Sequence, residues 1–258
     1  MRAQAPPTIT PPFGYGPIVA LQREDRVLLP RGATPEFCRG VNALALSASE
    51  FTAASRDYPI AFACGEDGRF APVVLLGLAD KQNLFIGPGG DWDPASYLPA
   101  YVRRYPFCMT RVNVSGKEQP ERIACVEKRA LSAAGDALYD DKGEPLPVWE
   151  TMRKLLFEFE ADLARTEALC KIVIELGLLE PFHMQAKPDG GEPFTLTGMF
   201  RVNEQKISAL AADQLKELVK NGVLPRIYAH IMSMSNFSKL LSRRATRAKS
   251  AEKAEANA

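Results

Sequence analysis

The sequence predicts an α+β protein with a β-rich N-terminal half, built of antiparallel hairpins, and a helix-rich C-terminal half. Short apolar runs separated by polar turns fill the region up to residue 127, a pattern typical of strands. From residue 149 onward, apolar residues recur at offsets of three and four, which is typical of helices. Strands that cluster early and helices that cluster late favour α+β over alternating βαβ units.

The strand candidates of the first half pair around recognisable turns. The runs PIAFAC and PVVLLGL surround the turn GEDGR and predict one hairpin, and FCMTRVNV and RIACVE predict another pair. Between strands, Ser47 and Glu50 form a capping-box pattern that opens a short helix ending before Tyr58. The strands are predicted at 17–21, 26–30, 41–47, 59–64, 72–78, 83–86, 107–114 and 122–127.

The second half contains three predicted helices and one strand. A long helix at 149–176 ends before Gly177, and a strand follows at 195–203. A shorter helix at 210–221 stops at Gly222. A last helix follows, with Pro225 in its first turn and an apolar stripe of Ile227, Ile231, Met234, Phe237 and Leu241.

Composition indicates three parts. Residues 1–16 are rich in proline and predict a flexible arm, and residues 17–242 form the α+β domain, with a sub-boundary near 140–147. Residues 243–258 are charged, rich in alanine and without an apolar stripe, so they predict a frayed helix or a disordered tail.

Charge and cysteine content limit the classes of function. Basic and acidic residues number 32 and 31, so no global charge draws the chain to nucleic acid. The five scattered cysteines lack CxxC spacing, which predicts free thiols in a reducing compartment. We find neither a signal-peptide core nor an apolar run of the roughly 18 residues that a membrane span needs. The sequence therefore predicts a soluble, cytoplasmic protein, with a non-classical export route left open.

The segment at 87–107 is the densest functional candidate. Its glycines permit close backbone approach, and Asp93-Pro94 resembles the start of a helix. Flat aromatic rings and arginine forks occur together there, as they do at protein interfaces. The alternatives are a structural role, in which the aromatics cover a sheet and the arginines neutralise Asp91 and Asp93, and a small-ligand site. The candidate binding residues are Trp92, Asp93, Tyr97, Tyr101, Arg103, Arg104 and Tyr105.

No catalytic signature accompanies this segment. A dinucleotide fingerprint needs a glycine where Trp92 stands, and Gly116-Lys117 is followed by Glu118, so no Walker A run exists. The two histidines, His183 and His230, fit hydrogen-bonded or core positions better than ligand positions. We therefore predict no cofactor and no metal, and the catalytic residues stay unknown.

Several long segments resemble the bacterial SapC family. RDYPIAFAC, PVVLLGLADKQNLFI and DWDPASYLPAYVRRYPF resemble its core, and ARTEALCKIVIELGLLEP and LTGMFRVNEQKISAL its later blocks. KNGVLPRIYAHIMSMSNFSKLL resembles its C-terminal block, so the resemblance spans about 17–242. The stretch RIACVEKRAL departs from the more acidic sequence expected of the family. The family takes its name from surface-layer gene clusters, and the resemblance implies no catalytic residues, cofactor or reaction.

These observations favour a non-enzymatic accessory or interaction protein of unknown oligomeric state, linked to surface-layer or cell-envelope biology, with a protein partner. The alternative is an enzyme, or an enzyme subunit, with a small-ligand site near the Trp92–Arg104 segment. An enclosed pocket with convergent polar groups would favour the enzyme, and an apolar-centred surface would favour the interaction protein.

Overall fold

The computed structural model describes residues 9–114, 117–186 and 194–256, and it confirms the α+β class. In these ranges the strands are β1 (Ile18–Ala20), β2 (Arg26–Val27), β3 (Ala43–Ala45), β4 (Ile60–Cys64), β5 (Phe70–Leu75), β6 (Phe107–Val114), β7 (Lys117–Glu127), β8 (Asp136–Ala137), β9 (Leu179–Ala186) and β10 (Phe194–Val202). The α-helices are α1 (Phe51–Ala54), α2 (Ala100–Arg103), α3 (Pro147–Glu175), α4 (Glu204–Ser208), α5 (Ala212–Lys220), α6 (Val223–Ser233) and α7 (Asn236–Ala256).

The chain divides into two compact units, each built from separate stretches of sequence. Unit 1 holds the residues up to Cys38 together with Val102–Ala161. Unit 2 holds Arg39–Tyr101 and the residues from Asp162 onward. The predicted turn at 140–147 therefore lies inside unit 1, and the division falls within α3.

Unit 1 contains a three-stranded antiparallel sheet in the order β1-β7-β6 and a separate β2–β8 pair. The β6–β7 hairpin confirms the predicted pair. The N-terminal part of α3 covers the sheet because the side chain of Trp149 is only 2% exposed and packs on Phe107, with ring centroids 5.2 Å apart. The core of this unit is formed by Val27, Phe107, Val126, Ala130, Leu138, Trp149 and Leu156.

The predicted N-terminal arm reaches this core where the structure describes it. Tyr15 is buried and its hydroxyl donates a hydrogen bond of 3.0 Å to the carbonyl of Phe107. Burial of an aromatic ring with its hydroxyl paired stabilises the position of the chain. Residues 9–14 therefore lead directly into an anchored position, and residues 1–8 lie outside the described part.

Unit 2 is built on a five-stranded antiparallel sheet in the order β3-β5-β4-β10-β9. The predicted β4–β5 hairpin forms its centre. His230 of α6 ties two of its strands, because its Nε2 accepts a hydrogen bond of 3.0 Å from the Val202 amide and its Nδ1 lies 2.9 Å from the Ile60 carbonyl. Burial lowers the pKa of His230 to about 4. The side chain is a neutral, hydrogen-bonded core residue, as the sequence predicts.

Local signals in the long helix are confirmed. Helix α3 spans Pro147–Glu175, and Gly177 adopts a left-handed φ of 63° just past its end. Such a conformation suits glycine because it has no Cβ. The predicted capping box also forms: both the backbone amide and the hydroxyl of Ser47 donate to Oε2 of Glu50, at 3.0 and 2.7 Å.

Two details of the prediction are wrong, and some elements had no prediction. Residues 83–86 form no strand, and their only bridge joins Ile86 to Trp92. The last helix is two helices, α6 and α7, interrupted at Met234 and Ser235. Strands β8 and β9 and helix α4 had no prediction.

Candidate functional site

A glycine-rich loop at 84–94 has a defined backbone shape. The Gly87 amide donates to the Asp91 carbonyl at 2.9 Å, and the Gly90 amide donates to the Gly87 carbonyl at 2.9 Å. Gly90 adopts a φ of +88°, which an L side chain rarely does. The Asp93 amide then donates to the Phe85 carbonyl at 2.7 Å and closes the loop. The sequence signal of clustered glycines therefore marks a turn here, and not a phosphate fingerprint.

Trp92 and Tyr97 are fixed through one shared neighbour, Tyr58. The indole Nε1 of Trp92 donates a hydrogen bond of 3.1 Å to the Tyr58 hydroxyl, which in turn donates to the Tyr97 carbonyl. The Trp92 side chain is 8% exposed and stacks on Phe85, with centroids 6.4 Å apart. Burial raises the pKa of Tyr58, so its hydroxyl stays protonated as a donor. Tyr58 therefore fixes both candidate residues, of which Trp92 lines the site.

The buried carboxylate of Glu50 holds the next part of the segment. Its Oε1 accepts hydrogen bonds from the Tyr97 hydroxyl at 3.0 Å and from the Ala100 amide at 2.6 Å. Only 4% of Glu50 is exposed. A buried carboxylate is tolerated when several donors satisfy it, and this residue meets that condition.

Asp93 makes cap-like hydrogen bonds without opening a helix. Its Oδ1 accepts from the Ala95 amide at 3.0 Å and its Oδ2 from the Ser96 hydroxyl at 2.9 Å. Residues 94 and 95 form a turn, and the next helix, α2, begins only at Ala100. The predicted N-cap is therefore an isolated turn.

Asp93 also carries an ion pair to the last helix. Arg243 donates from Nη2 to Oδ2 of Asp93 at 2.5 Å, and its guanidinium lies 4.3 Å from the ring centroid of Phe85. The hydrogen bond from Arg243 holds the pKa of Asp93 below its usual range. One turn further along α7, Arg247 donates to the carbonyls of Asn83, at 2.7 Å, and Ile86.

The loop and helix α7 enclose an open groove with a volume of about 720 Å³, which we call the loop–helix groove. Its lining is mostly apolar, with polar groups concentrated on the helix wall. Positions 242, 243, 246, 247 and 250 share one helical face because they are three and four residues apart. The lining residues are Leu84, Phe85, Ile86, Gly87, Pro88, Gly89, Asp91, Trp92, Asp93, Pro94, Ser242, Arg243, Thr246, Arg247 and Ser250.

The other candidate residues lie elsewhere. Tyr101 is buried in unit 2, whereas Arg103, Arg104 and Tyr105 belong to unit 1. Arg103 is exposed, and Arg104 is only 4% exposed, with its guanidinium 4.3 Å from the ring centroid of Phe159. Only Trp92 and Asp93 of the seven candidates line the loop–helix groove.

The residues that sequence reasoning missed are Arg243 and Arg247. They fall at the end of the predicted last helix and in the predicted tail, where the structure continues α7 to Ala256. The signal that marks them is the stripe of hydroxyl and arginine side chains at helical spacing. Its partners lie about 150 positions earlier in the chain, so the sequence does not reveal what the stripe contacts.

Other chemistry finds little support among the described residues. Within residues 9–114, 117–186 and 194–256, no group of three or more His, Cys, Asp or Glu residues is suited to hold a metal ion. All five cysteines are free, and Cys38, Cys108, Cys125 and Cys170 are buried. None of the helices in the described part of the chain is both long enough and apolar enough to cross a membrane.

The fold and the groove define the class: an α+β protein with an open, mostly apolar groove between a glycine-rich loop and a helix. The SapC family model matches residues 27–240, and the chain belongs to the SapC family. No curated protein and no solved structure gave a match.

Proposed function

We propose that this SapC-family protein is a non-enzymatic interaction protein that takes a segment of a partner protein into the loop–helix groove. The observation that carries the proposal is the groove itself, with an apolar floor at Phe85 and Trp92 and polar groups along one wall. Apolar, aromatic centres flanked by polar groups are typical of protein interfaces. A peptide segment matches this arrangement because it offers apolar side chains and backbone hydrogen-bonding groups together.

The rigid floor favours binding with little reorganisation. Tyr58 fixes Trp92, and Arg243 and Arg247 fix the helix wall to the loop. A preformed surface loses less conformational entropy when it binds a partner. The arginines in this groove hold the two walls together, and the partner would then be recognised by the surface that they create.

The setting of this interaction is also a proposal. Five free cysteines suit the reducing cytoplasm. A link to surface-layer or cell-envelope biology follows from the name of the family, and it predicts that the partner is a component of the cell envelope or of its assembly.

A small-ligand site, as in an enzyme or enzyme subunit, is the second candidate. The groove volume of about 720 Å³ falls in the range of ligand pockets, roughly 300–1,000 Å³. Against it, the described lining residues include no histidine or cysteine. A native mass measurement of the purified protein distinguishes this candidate, because a retained small molecule adds a defined mass.

Site-specific photo-crosslinking tests the proposal. A benzoylphenylalanine at Thr246, in the groove, is compared with one at Ala248, which is exposed on the same helix but outside the groove lining. We expect irradiation of producing cells to give one defined protein adduct from the Thr246 probe and none from the Ala248 probe. Equal adducts from both positions, or no protein adduct from Thr246, would overturn the proposal.

A further inference from the structure

Two cysteines occupy directly opposite positions on the β6–β7 hairpin of unit 1. Cys108 of β6 pairs with Cys125 of β7 in the antiparallel register. Residues that lie directly opposite each other point their side chains to the same face of the sheet. In the strand registers that the structure describes, this is the one position where two cysteines face each other. The fold therefore makes neighbours of two thiols that are distant in the sequence.

The hydrogen-bonding pattern of the hairpin fixes the separation of the two cysteines. The Glu127 amide donates to the Pro106 carbonyl at 3.0 Å, which makes those two residues a hydrogen-bonded pair. Because pair types alternate along an antiparallel ladder, Cys108 and Cys125 are the next hydrogen-bonded pair, with Cα atoms about 5.5 Å apart. Disulfides join cysteines whose Cα atoms are roughly 4.4–6.8 Å apart. The backbone is therefore already spaced for a disulfide between these two residues.

Both thiols lie in the protein interior. The side chains of Cys108 and Cys125 are each 0% exposed. Burial raises the pKa of Cys108 to about 12, and the neighbouring Cys125 adds a smaller effect of the same sign. Burial raises the pKa of Cys125 to about 11. A bulky or charged reagent has no access to these thiols, whereas a small uncharged oxidant reaches them when the hairpin opens locally.

We infer that Cys108 and Cys125 form a redox-sensitive pair, which closes to a disulfide when a hydroperoxide oxidises the protein. Both residues are free thiols in the structure, which corresponds to the reduced state. Disulfides that form in a reducing compartment are usually transient and redox-sensing, and a pair that needs no backbone rearrangement suits that role. The pair lies in unit 1 and is independent of the loop–helix groove, so either proposal can fail alone.

The reaction balances with hydrogen peroxide as the oxidant. One cysteine sulfur, as the thiolate, attacks a peroxide oxygen, the O–O bond breaks, and a sulfenic acid and the first water form. The second cysteine sulfur then attacks the sulfenic sulfur, the S–O bond breaks, and the S–S bond and the second water form. Each sulfur loses one electron, the two peroxide oxygens gain these electrons, and the two thiol protons end in water. A small thiol reverses the change by thiol–disulfide exchange.

Peptide mapping of the oxidised full chain tests the inference. The chain carries Cys64→Ser, because the exposed Cys64 would otherwise form disulfides between molecules. The folded protein is treated with hydrogen peroxide, catalase removes the excess, and the remaining thiols are alkylated in denaturant. We expect a peptide pair that joins Cys108 to Cys125, an intact mass lower by two hydrogen atoms, and loss of both signals after reduction. Circular dichroism before and after treatment checks that the protein stays folded.

Cysteine variants supply the controls. Cys108→Ser and Cys125→Ser should each abolish the loss of two hydrogen atoms, because each leaves one member of the pair alone. Cys170→Ser is the matched control, since Cys170 is also buried and should leave the cross-link unchanged. If a variant in the pair fails to fold, the peptide map of the Cys64→Ser chain still decides the question. Four free thiols after peroxide treatment, separate sulfinic acids at the two positions, or a cross-link to another cysteine would overturn the inference.

Discussion

Oε1 of Glu50 accepts a hydrogen bond of 3.0 Å from the hydroxyl of Tyr97, 47 positions later in the chain. The same carboxylate accepts from both donors of Ser47 through its other oxygen. A pattern that the sequence shows as a local helix cap is therefore also a long-range anchor. It joins the start of the short helix at 48–54 to the segment that leads out of the glycine-rich loop.

We predict that Glu50→Gln destabilises the protein by about 2–4 kcal/mol, because an amide places a donor against donors in a buried site. The free energy of unfolding from urea titration measures the effect. Glu66→Gln, at an exposed position, should change it by less than about 0.5 kcal/mol. Equal effects of the two substitutions would contradict the role of Glu50 as an anchor.

Phe159→Ala should destabilise the protein by about 3–5 kcal/mol, because the ring is buried and supports the guanidinium of Arg104. Phe157 is the matched control: it lies on the same helix and is 56% exposed. Phe157→Ala should cost less than about 0.5 kcal/mol, as should Glu158→Ala, in the same denaturant series. A larger loss from Phe157→Ala than from Phe159→Ala would mean that the helix faces the other way.

The two adjacent arginines should behave differently. Arg104→Ala should lower stability by about 1–3 kcal/mol because it removes the buried guanidinium that packs on the ring of Phe159. Arg103→Ala, at an exposed position, should leave stability within about 0.5 kcal/mol of the parent. The sequence predicts that one of these arginines is structural and the other recognises a partner, without indicating which is which. Because Arg104 is the buried one, we expect a folded Arg103→Ala variant to lose partner capture, and unchanged capture would contradict this.

Stability should fall as the pH drops from about 6.5 to about 4, and His230 should contribute to this fall. Burial lowers its pKa from 6.5 to about 4, with a smaller contribution of the same sign from Arg201, against a raising effect of the hydrogen bond to Ile60. In this window the unfolded state binds a proton that the folded state excludes, so acid favours unfolding by on the order of 3 kcal/mol.

Urea titrations at several pH values measure this dependence. His230→Gln should flatten the profile, whereas His183→Gln, at an exposed position, should leave it unchanged. A profile that His230→Gln leaves as steep as that of the parent would show that other groups carry the acid sensitivity.

Thiol reactivity should separate one cysteine from four. Burial raises the pKa of Cys38 and of Cys108 to about 12, and that of Cys125 and of Cys170 to about 11. Because the thiolate is the reactive form, only the exposed Cys64 should react quickly with a disulfide reagent in the folded protein. Denaturation without a reductant should release all five thiols, and Cys64→Ser should abolish the fast phase. Three or fewer thiols after denaturation would contradict this prediction.

The sequence predicts best where structure depends on near neighbours. The Ser47–Glu50 capping box, the β4–β5 hairpin and the end of α3 at Gly177 are all determined by residues a few positions apart. Each of these was confirmed because the interacting groups are close together in the printed sequence.

The predictions are wrong where residues far apart in the sequence determine the backbone conformation. The interruption between α6 and α7 lies next to Asn236, whose side chain donates to the carbonyls of Ser55, at 2.7 Å, and Tyr58, at 3.1 Å. An apolar stripe continues through this point, so periodicity alone indicates one helix. The helix wall of the loop–helix groove was not predicted for the same reason. Arg243 pairs with Asp93, which lies 150 positions earlier in the sequence.

Each compact unit consists of two separate stretches of sequence, and helix α3 contributes residues to both. In sequence, Arg39–Tyr101 is inserted between the two stretches of unit 1, which ends its first stretch at Cys38 and begins its second at Val102. No single truncation therefore yields either unit alone: residues 1–161 contain all of unit 1 but also residues 39–101 of unit 2, and residues 39–258 contain all of unit 2 but also residues 102–161 of unit 1. Isolating one unit requires internal deletion and rejoining of the chain. A protease that cuts α3 before Ala161 would divide unit 1 and would also separate the two stretches of unit 2 from each other.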